Sequence, residues 1–142
     1  MDTLSPWEAA ARHFEPRDDL WDTPGSMAQD LDRTTVQTPA LDLIDEALVN
    51  VAEGRIKRLI ISLPPQEGKS QRVSRRFPLW LLTRDPELRI VIASYELGVA
   101  RRWGRDIRND IATHTTDLDL AVRPDTSAAH EWQLDGHRGG VY

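Results

Sequence analysis

The 142-residue sequence contains no cysteine, which excludes disulfide frameworks and thiolate metal sites. An intracellular setting is the expectation that follows. Phenylalanine and tyrosine are sparse, at two each, and most aromatic content comes from five tryptophans. No apolar run approaches the roughly 20 residues needed to span a bilayer. The opening residues Met1-Asp2-Thr3-Leu4-Ser5-Pro6-Trp7-Glu8 have neither a basic start nor an apolar core, so no secretory signal is expected. Repeats and low-complexity tracts are also missing. The four histidines, His13, His114, His130 and His137, lack metal-ligand spacing, and surface or capping roles are expected for them. What remains is 39% hydrophobic and 29% charged, the composition of one modest globular domain.

The net charge of -5 conceals a strong asymmetry. Residues 1–53 carry 12 acids against 3 bases, and residues 109–142 carry 6 acids against 2 bases. Between them, residues 54–108 carry 13 bases against 5 acids. A basic segment of this kind is either a set of solvated helix faces or the surround of an anionic ligand.

Ser5-Pro6-Trp7-Glu8 predicts a helix start, with Ser5 as cap and Pro6 at the first helical position, running to about His13. Residues 16–37 read as mostly irregular, with one helical turn near Met27. Thr38-Pro39 repeats the cap-then-proline signal, and Leu41, Ile44, Leu48 and Val51 recur at helical spacing, predicting a helix over 39–53. Arg58 to Leu63 reads as a buried strand. A helix is expected from Lys69 to about Thr83, kinked or reset by Pro78. Leu88 to Ser94 reads as a second buried strand, and Leu97 to about Ile111 as a helix with Val99, Trp103, Ile107 and Ile111 on one face. Trp80 and Trp103 are expected in the core. A short strand is expected over 117–122, and a hairpin over Glu131 to Tyr142 with Asp135-Gly136 at its turn. This order predicts an α/β domain with a parallel sheet, whose ligand site lies at the carboxyl ends of its strands.

The segment Leu63-Pro64-Pro65-Gln66-Glu67-Gly68-Lys69-Ser70 falls between the first predicted strand and its helix. It matches the last three positions of the phosphate-loop pattern G-x-x-x-x-G-K-[ST], with Leu63 where the first glycine would stand. Gly68 leaves backbone N–H groups open to phosphate oxygens, Lys69 suits the β- and γ-phosphates, and the Ser70 hydroxyl suits Mg²⁺. The start of the following helix adds positive potential at the same place. Pro64 and Pro65 restrict φ and shape the loop without the missing glycine. The competing reading is a proline-rich turn that ends in an exposed lysine and a helix-capping serine.

The stretches RLIISLPPQEGKSQRVSRRFPLWLL and LRIVIASYELGVARRWGRDIRNDI, followed by EWQLDGHRGGVY, resemble the large terminase subunit of tailed bacteriophages. That family places a PP-x-x-GKS loop after a strand, then a proline-tryptophan segment, then an "ASY" strand leading into an arginine-bearing helix. The resemblance covers roughly residues 38–142. It implies an α/β, P-loop NTPase-type parallel sheet flanked by helices and incomplete at its C-terminal end. Residues 1–37 would form a helical or irregular extension. Residues 38–142 would form a partial ATPase domain that has its Walker A loop and lacks the Walker B strand and the nuclease domain.

The function implied is that of an ATP-driven motor that packages viral DNA into procapsids, with ATP and Mg²⁺ as cofactors. Carried over by position, Gln66, Glu67, Gly68, Lys69 and Ser70 form the phosphate loop, Lys69 is the catalytic residue and Ser70 the metal ligand. Gln37 stands where related motors keep an adenine-reading glutamine, though a loop glutamine is also simply solvated in many proteins. Positions 65–67 are Pro, Gln and Glu, so the basic γ-phosphate sensor that many relatives carry in this loop is missing from it. Arg101, Arg102 and Arg105, with Arg108 on the same helix, read either as a solvated basic face or as a DNA or intersubunit contact. Arg72, Arg75 and Arg76 invite the same two readings, with the solvated face favoured. The partners implied are double-stranded viral DNA, the portal protein and the small terminase subunit, in a homo-oligomeric ring without membrane attachment. The location implied is the host cell cytoplasm, transiently at the procapsid portal. Because no paired acids follow an apolar strand, the chain is expected to be an N-terminal fragment that is inactive in hydrolysis by itself. The alternative is a non-catalytic remnant or interaction module of the motor without ATP turnover.

Overall fold

The computed structural model describes residues 21–126 and 131–142. The helix expected over residues 5–13 lies outside the described residues, as does the larger part of the 1–37 extension. The first described helix, α1 (Pro24–Leu31), starts at a reciprocal cap. The Thr23 hydroxyl accepts from the Ser26 N–H at 3.0 Å, and Ser26 Oγ accepts from the Thr23 N–H at 3.2 Å. Where one turn near Met27 was expected, eight residues are helical, because Thr23-Pro24 repeats the cap-then-proline signal of Thr38-Pro39. Helix α2 (Pro39–Ala52) follows the expectation closely. Thr38 Oγ1 accepts from the Leu41 N–H, and Leu41, Ile44 and Leu48 are buried along one stripe.

Arg58 to Leu63 does not form the expected buried strand: among the described residues it pairs with no ladder, and Ile60 is 95% exposed. Ile61 and Leu63 nevertheless pack on Leu41, Ile44 and Leu48 of α2. Burial at every second residue is the habit of extended chain with one face covered.

From Lys69 the chain is helical without a break to Arg84. The central piece, Gln71–Arg76, is a π-helical segment, and α3 (Phe77–Arg84) continues from it. The Phe77 N–H reaches back five residues to the Arg72 carbonyl. Pro78 supplies the reason, since it has no N–H and its ring crowds the carbonyl four residues earlier. A widened turn just ahead of it accommodates both without ending the helix.

Strand β1 (Arg89–Ile90) runs parallel to β3 (Gly140–Val141), and β2 (Trp132–Gln133) pairs with β3 antiparallel, giving the order β1-β3-β2. The parallel ladder extends beyond these short strands. The Gly140 N–H donates to Leu88 O, the Tyr142 N–H to Ile90 O, and the Ile92 N–H to Tyr142 O. Leu88, Ile90 and Ile92 pack on the core while Val91 is 75% exposed, so this second strand is half-buried rather than buried. The connection between the parallel strands passes through α4 (Leu97–Thr113) and α5 (Thr115–Leu118). In place of a strand over 117–122, only Val122 bridges to Leu134. The expected hairpin is present, closed by the Leu134 N–H to Gly139 O.

One core joins these parts: Met27 of α1, Leu79, Trp80 and Leu82 of α3, Ile107 and Ile111 of α4, Trp132 of β2 and Val141 of β3. The Trp132 indole donates to Gly104 O at 2.9 Å, which fixes the hairpin on α4. Phe77 touches both this core and the smaller cluster on α2. The segment from Pro64 to Ser70 is thereby held between α2 and a helix anchored in the main core.

Candidate functional site

The loop Pro64 to Ser70 alternates in backbone hand. Gln66 has φ +68° and Gly68 has φ +79°, while Pro65, Glu67 and Lys69 lie at negative φ. Alternating hand is a feature of the backbone concavities in which successive N–H groups bind anions. Gly68 needs its identity for this φ rather than for space, since an added Cβ would meet only Leu41 methyls at ordinary contact distance. The Arg72 N–H donates to Gly68 O at 3.0 Å and closes the first helical turn. Ser70 is itself helical, at φ -67° and ψ -36°, and its side chain makes no capping bond. The capping role offered by the simpler reading is therefore not seen. Lys69 is half-buried, Ser70 is exposed, and neither side chain pairs with another group among the described residues.

Behind the loop, three segments converge on Arg72. Its guanidinium forms a buried ion pair with Asp45 of α2 and donates to Gln37 Oε1 at 2.7 Å. Gln37 Nε2 in turn donates to Asp42 Oδ1 at 2.8 Å and Asp45 Oδ2 at 2.9 Å. Gln37 thus faces this network, and its amide is engaged at both ends. Asp45 Oδ1 is buried with no hydrogen-bond partner among the described residues. Gly25 of α1 sits so close that an added Cβ would collide with the Asp45 carboxylate and the Arg72 guanidinium. Here the absent side chain lets α1 approach.

A second set of ion pairs ties the same helix to α4. Arg75 grips Asp110 with two bonds, Nε to Oδ2 at 2.8 Å and a terminal nitrogen to Oδ1 at 2.7 Å. Arg76 reaches Asp110 Oδ2 at 3.3 Å. The Asp110 hydrogen bonds hold Arg75 above its ordinary value, whereas burial pulls Arg76 below its own despite the same carboxylate. Arg72 and Arg76 are buried. The favoured reading of Arg72, Arg75 and Arg76 as a solvated basic face is therefore corrected: they are internal ties. The signal was available in their partners, because Asp45 interrupts the stripe of Leu41, Ile44 and Leu48, and Asp110 lies beside Ile107 and Ile111. An acid on an apolar helical face needs a buried cation.

Arg101, Arg102 and Arg105 are exposed on α4, distant in sequence from the loop. Arg101 and Arg105 share a face at four-residue spacing, and the Arg102 guanidinium lies over the Trp103 ring at 5.5 Å. Trp80 is fully buried as expected, whereas Trp103 is only half-buried under that arginine. Of the two described histidines, His114 lies 3.5 Å from Asp117 and His137 2.8 Å from Glu87.

Beside the loop lies a cavity of about 460 Å³, walled by Gln66, Glu67 and Gly68 on one side and by residues of the α1–α2 connection on another. Among the described residues no helix is long and apolar enough to cross a membrane, and no three His, Asp or Glu side chains group as a metal site. Compared with known proteins, the chain matches no family model, no curated protein and no solved structure.

Proposed function

We propose that the chain is the ATP-binding, N-terminal part of a phage terminase large subunit, the motor that drives viral DNA into procapsids, built on a P-loop NTPase-type α/β sheet. The observation that carries this reading is the loop itself: alternating φ at Gln66 and Gly68, then Lys69 and an uncapped Ser70 opening a helix beside a cavity. A triphosphate is the anion such a loop suits. Lys69 would hold its ammonium near the β- and γ-phosphates, and Ser70 would offer its hydroxyl to Mg²⁺. When bound, Mg²⁺ supplies charge neutralisation across the phosphates. The loop N–H groups orient the phosphate chain, and the buried Arg72–Asp45 pair keeps the first helical turn in place while they do so.

In this reading Arg101, Arg102 and Arg105 face double-stranded DNA or a neighbouring subunit of a homo-oligomeric ring. The portal protein and small terminase subunit are its other partners, in the host cytoplasm. A second reading, a non-catalytic interaction module of the motor, draws support from the two buried carboxylates. Asp45 and Asp110 are both committed to arginines, so neither is placed to orient an attacking water.

Nucleotide titration by calorimetry separates the two readings. Mg-ATP binding that Lys69→Ala abolishes is the expected result, accompanied by negligible hydrolysis. Indifference to ATP favours the interaction module. Robust turnover that disappears in Lys69→Ala would show that the chain carries a catalytic acid of its own.

A further inference from the structure

The cavity beside the loop has two different walls. One is the loop and its helix, with Gly68, Gln71 and Arg75; the other is the connection between α1 and α2, with Asp32 and Thr34, over a floor that includes Ala28 and Leu41. Its volume of about 460 Å³ lies inside the roughly 300–1,000 Å³ typical of small-molecule sites. Ala28, Val36 and Leu41 give this otherwise polar cavity, which Arg72, Arg75 and Arg76 also line, an apolar part that suits a flat heterocycle. A loop that holds phosphates at one edge leaves the nucleoside to occupy what adjoins it.

Asp32 is built as an acceptor at this cavity. Its Oδ1 takes both the Thr34 N–H at 2.9 Å and the Thr34 hydroxyl at 2.6 Å, which fixes the carboxylate plane. Its Oδ2 accepts no hydrogen bond among the described residues. A carboxylate is the group that accepts a hydrogen bond from the ribose 2′-hydroxyl in dinucleotide-binding folds, and the Asp32 carboxylate, held by Thr34, keeps one oxygen for such a bond. Those Thr34 bonds also hold the Asp32 carboxyl below its usual range, so it is ionised at neutral pH.

We infer that this cavity takes the nucleoside of the bound triphosphate and that Asp32 Oδ2 accepts from the ribose hydroxyls, making the site selective for ribonucleotides over 2′-deoxyribonucleotides. The inference rests on the phosphate-loop reading above and adds the recognition of the sugar.

The test is calorimetric titration of the 142-residue chain and its Asp32→Asn and Lys69→Ala variants with ATP, dATP and inorganic tripolyphosphate, each with Mg²⁺. Asparagine keeps Oδ1 as the acceptor for Thr34, so the variant retains the local turn. ATP is expected to bind tighter than dATP by roughly tenfold or more, the worth of a hydrogen bond to a charged group. Asp32→Asn should narrow that gap to about twofold while leaving tripolyphosphate affinity unchanged. Equal affinity for ATP and dATP, a gap that survives in Asp32→Asn, or tripolyphosphate binding as tightly as ATP would overturn the ribose assignment and leave the phosphate loop standing. Failure of all three ligands to bind, or binding indifferent to Lys69→Ala, would overturn the phosphate-loop reading and this inference with it.

Discussion

Arg72 and Asp45, 27 residues apart in the chain, meet in a buried ion pair directly beneath the loop that ends at Ser70. Both residues are only 3% exposed. Taking one partner away strands the other charge in the interior, which typically costs about 3–5 kcal/mol. Arg72→Met should therefore lower the unfolding free energy by about that amount in urea denaturation. The double variant Arg72→Met with Asp45→Leu should recover most of the loss, since an apolar pair of similar volume is often neutral. A single variant costing under about 1 kcal/mol would mean that the pair is solvated and does not organise the loop's support.

How much of this was readable beforehand depended on whether a feature was local. Thr38-Pro39 and the stripe from Leu41 to Leu48 marked α2 almost to the residue, because a cap and a helical face are short-range properties. The Asp135-Gly136 turn likewise marked the hairpin. Arg58 to Leu63 failed as a strand because a strand requires a ladder partner, and an apolar run carries no information about where that partner is. Pro78 announced a disturbance but not its form: the helix absorbed it as a π-helical segment, held in place by the core around Trp80. The loop was legible as a motif. The Arg72 network was not, because the pairing of Gln37, Asp45 and Arg72 exists only once three segments have packed.

The exposed face of α4 separates a DNA contact from a subunit contact. Arg101, Arg102 and Arg105 present three guanidinium groups to solvent. If they lie on DNA phosphates, changing all three to alanine should weaken double-stranded DNA binding irrespective of sequence. It should also reduce the slope of log affinity against log salt by about 0.9 for each phosphate that an arginine no longer neutralises. Fluorescence anisotropy across a salt series measures this, and nucleotide affinity should not change. Unaltered DNA binding together with altered self-association in sedimentation would assign the face to a neighbouring subunit instead.

Glu87 makes the pH dependence of the fold testable. The His137 ring and then the Arg138 N–H, at 2.8 and 3.1 Å from its two oxygens, pull its carboxyl below the ordinary value of 4.5. These contacts join the turn before β1 to the hairpin turn before β3. A carboxyl depressed on folding contributes stability that is complete above its unfolded value and disappears as pH falls through the lower folded value. Asp32, through its bonds from Thr34, and Asp125, through Arg123, are depressed in the same sense, so the wild-type thermal midpoint should fall on acidification from about pH 5 downward. The Glu87 share is isolated by subtraction. Glu87→Gln should melt below wild type at about pH 6, and the two midpoints should converge as the wild-type carboxylate takes up its proton. Melting curves recorded by circular dichroism from about pH 7 to about pH 3 would show this. A gap that stays constant down to the most acidic point would mean that Glu87 acts through packing, and that its charge contributes nothing to holding the hairpin against β1.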